Sequence, residues 1–195
     1  MGVFDDPRTT HPLSALSSFA EFLQAHQSFL LTGHENPDGD CLGAQTALVH
    51  LLRSQGKQAW IVNPDPIGKS FDFLRRHTEF GSVRADQPLP RFGAAILLDC
   101  CQLSRLGTLG PRLREAGTPL GVIDHHVGSE HGDGTHNFVD ATAAATGVLV
   151  RRLYREFGVP LSAAAAEGVF LSLISDTGWF RYSNTDAEVF AIASE

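Results

Sequence analysis

The chain has 195 residues and a formal net charge of −7 at pH 7, and 43% of its residues are hydrophobic. This length and ordinary composition predict one sizeable globular domain and exclude a disordered or repetitive chain. The acidic balance argues against tight binding of long duplex DNA, which requires a basic surface.

Cysteine usage and the N-terminal sequence bear on the cellular compartment. The three cysteines (Cys41, Cys100 and Cys101) are odd in number and two are adjacent, which favours small packing residues in a reducing compartment over a disulfide framework. The apolar stretches are too short to span a bilayer, and residues 1–10 lack the pattern of a secretory signal. We therefore expect a cytoplasmic protein that does not bind membranes.

Amphipathic and apolar segments alternate along the chain. Helical spacing of apolar residues predicts helices at residues 12–27, 39–55, 71–76, 109–116, 142–157, 162–174 and from 186 onward. Short apolar runs predict buried strands at residues 28–32, 57–62, 94–99 and 119–124, with a further short strand at 180–182. This order predicts an α/β fold of three layers, with a mostly parallel sheet covered by helices on both faces. Because the last predicted helix has no stop signal before Glu195, we expect one domain of a longer protein.

Four segments place aspartate or histidine at the end of an apolar run, or just after it. Each segment alone has an ordinary explanation, namely a helix N-cap, a turn or a surface loop. Since ligands of such sheets bind at the carboxyl ends of the strands, the four together predict one metal site. Carboxylates with a few imidazoles suit Mn²⁺ or Mg²⁺, with Zn²⁺ or Co²⁺ as alternatives. The candidate residues are His34, Asp38 and Asp40 in the segment HENPDGD, Asp99, the triplet Asp124, His125 and His126, and Asp176 in the segment DTG.

These four motifs, in this order, resemble the DHH phosphoesterase family, and most closely its branch of nano-RNases and 3′-phosphoadenosine 5′-phosphate (pAp) phosphatases. Features are shared with the RecJ-like and exopolyphosphatase-like members. The resemblance implies that residues 1–195 form the catalytic DHH domain with two divalent cations, foremost Mn²⁺. A water that bridges the two cations would attack phosphorus in line. The implied ligands are His34, Asp38 and Asp99 for one cation, and Asp40, Asp99, His125 and Asp176 for the other.

The resemblance also implies catalytic roles outside the metal ligands. His126 would contact the scissile phosphate, and Asp124 would orient the histidines. The smaller C-terminal substrate-binding domain of this branch, with its glycine-rich segment, is absent before Glu195. In addition, Val148 stands where the family often has a glutamate. Among the arginines, Arg181 is the stronger candidate for binding a substrate phosphate and Arg105 the weaker one, with an ordinary surface arginine as the alternative.

These observations predict a Mn²⁺-dependent phosphohydrolase that acts on short oligonucleotides or pAp. One alternative is an exopolyphosphatase or pyrophosphatase with the same metal site. Another is a non-catalytic nucleotide-binding domain, and a RecJ-type exonuclease fits the acidic, short chain less well. The sequence leaves open whether the protein is a homodimer.

Overall fold

A computed structural model describes residues 12–83 and 87–195 of the protein. Its helices are α1 (Pro12–Ala25), α2 (Gly39–Ser54), α3 (Leu109–Ala116), α4 (Thr146–Glu156), α5 (Ala163–Asp176) and α6 (Ala187–Ser194). Its strands are β1 (Ser28–Thr32), β2 (Gln58–Asn63), β3 (Phe80–Ser82), β4 (Ala94–Leu98), β5 (Leu120–Asp124) and β6 (His136–Val139). Short 3-10 helices cover Lys69–Arg76, Leu103–Leu106 and Ser129–His131.

The six strands form one sheet in the order β3-β2-β1-β4-β5-β6, and every neighbouring pair is parallel. The chain runs outward from β1 in one direction to β3, then returns to the other side of β1 and continues to β6. The strand order therefore reverses between β1 and β4, where a crevice opens at the carboxyl ends of the strands. The predicted parallel α/β fold is confirmed.

Side chains alternate between two hydrophobic cores on the two faces of the sheet. Phe29 and Leu31 of β1 pack in a core that includes residues of α1, α2, α4, α5 and α6. Leu30 points to the other face, where it packs with residues of α3 and of the 3-10 helix Leu103–Leu106. Helices therefore cover both faces, as the sequence predicts.

The close packing of α2 against α5 positions the site. A Cβ atom on Gly43 would lie 2.3 Å from the carbonyl oxygen of Gly168, and one on Gly168 would lie 2.6 Å from the carbonyl oxygen of Gly43. Only glycine allows this backbone approach. The two helices run antiparallel, since Gly39 at the start of α2 faces Ser175 near the end of α5. The start of α2 and the end of α5 are thereby brought together at the carboxyl edge of the sheet.

Several predicted boundaries are wrong. Residues 180–182 form a turn and not a strand, because Trp179 and Phe180 have φ values of 60° and 61° and the amides of Arg181 and Tyr182 both donate to Thr177 O. Residues 142–145 precede α4 instead of belonging to it, and the prediction omitted β3 and β6. In residues 12–83 and 87–195, no helix has both the length and the apolar character needed to cross a membrane.

Candidate metal centre and active site

The four predicted segments converge at the carboxyl edge of the sheet. His34 Nε2 lies 3.4 Å from Asp99 Oδ2. His125 Nε2 lies 3.4 Å from Asp40 Oδ2, 3.6 Å from Asp99 Oδ1 and 3.1 Å from Asp176 Oδ2. Nitrogen and oxygen ligand atoms of this kind, gathered from β1, α2, β4, β5 and α5, form a candidate cation site.

Asp99 lies at the centre of this group. It follows β4 with a left-handed φ of 61°, a conformation that aspartate tolerates better than most residues. Its amide donates to Ile123 O at 3.0 Å, which fixes the residue to the end of β5. One carboxylate oxygen faces His34 and the other faces His125, and this second oxygen also accepts from Thr146 Oγ1 at 3.2 Å. Such a carboxylate is placed to be shared by two cations.

Asp40 is fully buried in the first turn of α2. The backbone amides of Thr146 and Gly147 donate to it at 2.9 and 3.3 Å, and the hydroxyl of Ser172 donates a further hydrogen bond. The amide-rich start of α4 carries a partial positive charge that stabilises this anion. Burial, together with the negative charges of Asp99 and Asp176, nevertheless raises the pKa of Asp40 well above its usual value. The site therefore lacks positive charge unless protons or cations supply it.

Hydrogen bonds of the two ligand histidines leave one ring nitrogen of each available. His34 Nδ1 lies 2.8 Å from the carbonyl oxygen of Glu35, and His125 Nδ1 lies 3.2 Å from that of Ala143. Because a carbonyl oxygen only accepts, each Nδ1 carries a proton, and Nε2 is the nitrogen that can bind a cation once any proton on it has left. His125 Nε2 is buried and, among the described residues, makes no hydrogen bond of proper geometry although Asp176 is close. This orphaned nitrogen fits a cation ligand.

The carboxylates raise the proton affinity of the same two imidazoles. The interaction with Asp99 is the main cause that raises the pKa of His34 to about 9. Burial lowers the pKa of His125, but Asp176, Asp40 and Asp99 outweigh burial and raise it to about 9. In the metal-free protein these protons offset part of the negative charge. Divalent cations would take over that role.

Asp38 and Cys41 lie beside the candidate ligands. Asp38 is exposed and is the N-cap of α2, since its Oδ1 accepts from the amides of Asp40 and Cys41 at 3.0 and 3.1 Å. The N-cap that the sequence offered as the ordinary explanation is thus present, and the second carboxylate oxygen remains for a ligand role. Cys41 Sγ lies within 4.8 Å of ligand atoms of His34 and Asp99, and burial raises the pKa of the thiol well above the usual value. The thiol packs against Leu98 O and Gln45.

Asp124 organises the histidine triplet. Its Oδ1 accepts from the amides of His125 and His126 and from His126 Nδ1, the last at 2.8 Å, and its Oδ2 accepts from Ser129 Oγ at 2.6 Å. Burial raises the pKa of Asp124, but the hydrogen bonds from His126 and Ser129 outweigh it, and the net shift is downward. The carboxylate is therefore ionised and orients the ring of His126, whereas its contact with His125 is through the backbone only.

His126 faces a cleft of about 250 Å³ next to Asp99. Its side chain is 60% exposed, so that substrate can reach it. Arg105 lines the same cleft. Arg181 does not line the cleft: it lies in the turn after α5, where its Nε donates to Gly178 O at 2.8 Å.

Three hydroxyl residues of the site were not predicted from the sequence. Thr146 and Ser172 hold the carboxylates of Asp99 and Asp40, and Ser129 holds Asp124. Val148 is buried in the core and contributes no polar group. Thr146 lies inside the helix predicted at residues 142–157 and not at its start, so no local signal marked it. Serines and threonines are too common for residue type alone to identify the three hydroxyls.

The chain is similar in sequence to known proteins. Residues 28–173 match the model of the DHH family, N-terminal domain. A bifunctional oligoribonuclease and PAP phosphatase, NrnA, from Thermus thermophilus is 31% identical over 182 residues, which are 90% of this chain and 52% of that relative. The chain thus spans about half the length of this relative.

Solved structures share the fold at lower sequence identity. An exopolyphosphatase-related protein from Bacteroides fragilis superposes with a TM-score of 0.83 at 21% identity, over 93% of this chain and 55% of that protein. RecJ from Thermus thermophilus in complex with Mn²⁺ superposes with a TM-score of 0.53 at 18% identity, over 91% of this chain and 27% of RecJ.

Proposed function

Because the chain belongs to the DHH family, we propose that it is the catalytic domain of a two-cation phosphoesterase that hydrolyses short oligonucleotides or pAp. The observation that carries this proposal is the convergence of His34, Asp40, Asp99, His125 and Asp176 around the orphaned Nε2 of His125. A purely structural ion-pair cluster would pair each imidazole with its own carboxylate. Here one buried nitrogen faces three carboxylates without a hydrogen bond of proper geometry.

We assign the candidate ligands to two cations that share Asp99. One cation would be held by His34, Asp38 and Asp99, and the other by Asp40, Asp99, His125 and Asp176. The opposite orientation of the two Asp99 oxygens supports this division. Bound divalent cations would supply a nucleophilic water near neutral pH and neutralise charge on the phosphoryl oxygens. The T. thermophilus RecJ of similar fold was solved with Mn²⁺, which makes Mn²⁺ the first cation to test.

The chain itself supplies an oriented imidazole at the scissile phosphate. The hydrogen bond to Asp124 raises the pKa of His126 and sets the direction of its ring. A protonated His126 would use its other nitrogen to donate to a phosphoryl oxygen as negative charge develops there. Ser129 fixes Asp124 from the opposite oxygen, so that the ring cannot rotate freely.

The substrate class rests on the relative from T. thermophilus, whose name describes an oligoribonuclease and PAP phosphatase. We propose the same class of short nucleotides for this chain. The resemblance in fold to an exopolyphosphatase-related protein makes pyrophosphate and polyphosphate the substrates to compare.

The test measures hydrolysis of pAp, a 5′-labelled dinucleotide and pyrophosphate, each with Mn²⁺ and with EDTA. The variant Asp99→Asn keeps the side-chain volume and a residue that tolerates the left-handed conformation, but removes the charge. Asp72→Asn, which alters an exposed carboxylate paired with Arg75, is the matched control.

We expect Mn²⁺-dependent turnover of a nucleotide substrate, lost in Asp99→Asn and retained in Asp72→Asn. Preferred turnover of pyrophosphate would replace the proposed substrate class with the polyphosphatase alternative. Turnover that survives in EDTA, or in Asp99→Asn, would refute the metal mechanism.

A further inference from the structure

The cleft beside Asp99 and His126 carries its own fixed cation, Arg105. This residue lies on the 3-10 helix Leu103–Leu106. Leu103 and Leu106 are 7% and 0% exposed and anchor the helix in the core on the α3 side of the sheet. The backbone of Arg105 is therefore fixed even though its side chain is exposed.

A backbone hydrogen bond joins this short helix to the segment after β1 that carries the candidate ligand His34. The amide of Glu35, next to the candidate ligand His34, donates to Arg105 O at 2.9 Å. Gly107, with a φ of 48°, passes so close that a Cβ atom there would lie 2.5 Å from Glu35 Oε1. On the other side, the amide of Leu103 donates to Asp133 Oδ2 at 2.7 Å. The backbone of Arg105 is consequently held in place next to the segment that carries His34.

The guanidinium group of Arg105 has no ion-pair or hydrogen-bond partner among residues 12–83 and 87–195. Several other arginines are engaged: Arg152, for example, binds both Asp140 and Glu188. The acidic groups that line the cleft with Arg105 are already paired, since Asp99 faces His34 and His125, and Asp124 accepts from His126 and Ser129.

An unpaired guanidinium in a cleft is suited to an anion, and its planar donors match a phosphate in two-pronged geometry. The cleft of about 250 Å³ is larger than the five heavy atoms of a single phosphate group require. His126, next to the candidate ligand His125, and Arg105 both line this cleft. The cleft thus offers two side chains that can donate to phosphate.

We propose that Arg105 binds a second, non-scissile phosphate of the substrate and thereby selects for substrates with two phosphates close together. Nucleoside 3′,5′-bisphosphates and 5′-phosphorylated dinucleotides have this chemistry. This inference rests on the proposed function and deepens it. The cations and His126 act on the scissile phosphate, and Arg105 binds the neighbouring phosphate of the same substrate.

The test compares pAp with 3′-AMP, which has the same 3′-phosphate ester and lacks only the 5′-phosphate. The ratio of kcat/KM for pAp to kcat/KM for 3′-AMP is measured with Mn²⁺ for the wild type and Arg105→Gln. Arg91→Gln is the matched control, because Arg91 is also exposed and its side chain also has no partner among the described residues. Arg91 precedes β4 and so lies at the opposite edge of the sheet.

We expect Arg105→Gln to lower this ratio tenfold or more, mainly through a higher KM for pAp, as the loss of one hydrogen bond to a charged group predicts. Arg91→Gln should leave the ratio as in the wild type. A ratio near one in the wild type, an unchanged ratio in Arg105→Gln, or an equal loss on both substrates would overturn the inference. Equal loss would place Arg105 at the scissile phosphate instead.

Failure of the proposed function is a separate outcome, namely a wild-type chain that hydrolyses neither nucleotide. The same comparison is then made with dissociation constants for pAp and 3′-AMP, measured by calorimetry on the Mn²⁺-loaded chain. A tenfold loss of pAp preference in Arg105→Gln would support the subsite without catalysis, and an unchanged preference would overturn it.

Discussion

Replacing Ser172 with alanine tests how Asp40 is held at the centre of the site. The Ser172 hydroxyl donates to Asp40 Oδ1 and accepts from the amide of Gly147 at 2.8 Å. It therefore connects α5 to α2 and to the start of α4 at one buried point. Alanine would remove both hydrogen bonds and leave a space of one oxygen atom.

The expected magnitude follows from what remains after the substitution. Asp40 keeps the amide of Thr146, and the amide of Gly147 keeps only its longer contact of 3.3 Å with Asp40. Weakening the hydrogen bonding of buried groups costs about 1–3 kcal/mol in the free energy of unfolding. A residue that orients a metal ligand also changes metal affinity, typically by about 10–100-fold. We expect both effects in Ser172→Ala.

The assay is Mn²⁺ titration by calorimetry combined with urea unfolding in EDTA. The matched control is Ser162→Ala in the same helix, because Ser162 caps α5 by accepting from the amide of Ala165 at 3.2 Å and lies outside the site. Loss of this cap should cost about 1 kcal/mol and leave Mn²⁺ affinity unchanged. Equal Mn²⁺ affinity in Ser172→Ala and the wild type would refute the reasoning, whatever the loss of stability.

Two further predictions concern stability. Mn²⁺ at about 100 times its dissociation constant stabilises the folded state by about 2.7 kcal/mol, and should therefore raise Tm above the value in EDTA by on the order of 5–10 °C. Asp99→Asn should abolish most of this difference. Equal Tm values for the wild type with Mn²⁺ and with EDTA would contradict the prediction. The second concerns Asp140: burial raises its pKa, but hydrogen bonds from Thr142 and Arg152 outweigh burial, and the net shift is downward. Asp140→Asn should therefore destabilise the protein by a constant amount above about pH 5, and by progressively less below about pH 4 as the wild-type carboxylate is protonated. Urea unfolding of both proteins at each pH measures the difference in the free energy of unfolding. A difference that grows toward low pH would contradict the assignment.

The convergence of the motif residues at one edge of the sheet could be predicted because their signal is local. Each follows or ends an apolar run, and a parallel sheet brings the ends of its strands to one edge regardless of how the helices pack. Asp99 and Asp124 illustrate this, since both stand at the ends of strands that pair directly in the sheet.

The residues that support these ligands could not be predicted, because their positions depend on packing between distant helices. Ser172 can reach Asp40 because Gly43 and Gly168 let α2 and α5 approach closely. Gly147, which has no side chain, leaves room for the hydroxyl of Ser172. The strand predicted at 180–182 failed for a related reason. Its aromatic residues favour a strand, but the positive φ of Phe180 and the hydrogen bonds to Thr177 O close a turn instead.

Arg105 and Arg181 show the same limit for substrate contacts. Both follow a motif aspartate within a few residues, at Asp99 and Asp176, so that sequence spacing cannot separate them. The structure separates them because Arg181 Nε is occupied by Gly178 O, whereas the guanidinium of Arg105 is unpaired among the described residues. The cleft beside His126 favours Arg105, which lines it, whereas the sequence favoured Arg181.

An acidic chain can bind an anionic substrate only where its charge is reversed locally. The chain has a net charge of −7, and Asp38, Asp40, Asp99 and Asp176 concentrate part of that charge at the site. Two divalent cations would offset these four carboxylates and leave Arg105, and His126 when it is protonated, in excess. Cation binding and phosphate binding would then be coupled through the same carboxylates, and substrate affinity would follow from metal occupancy rather than from the charge of the surface as a whole.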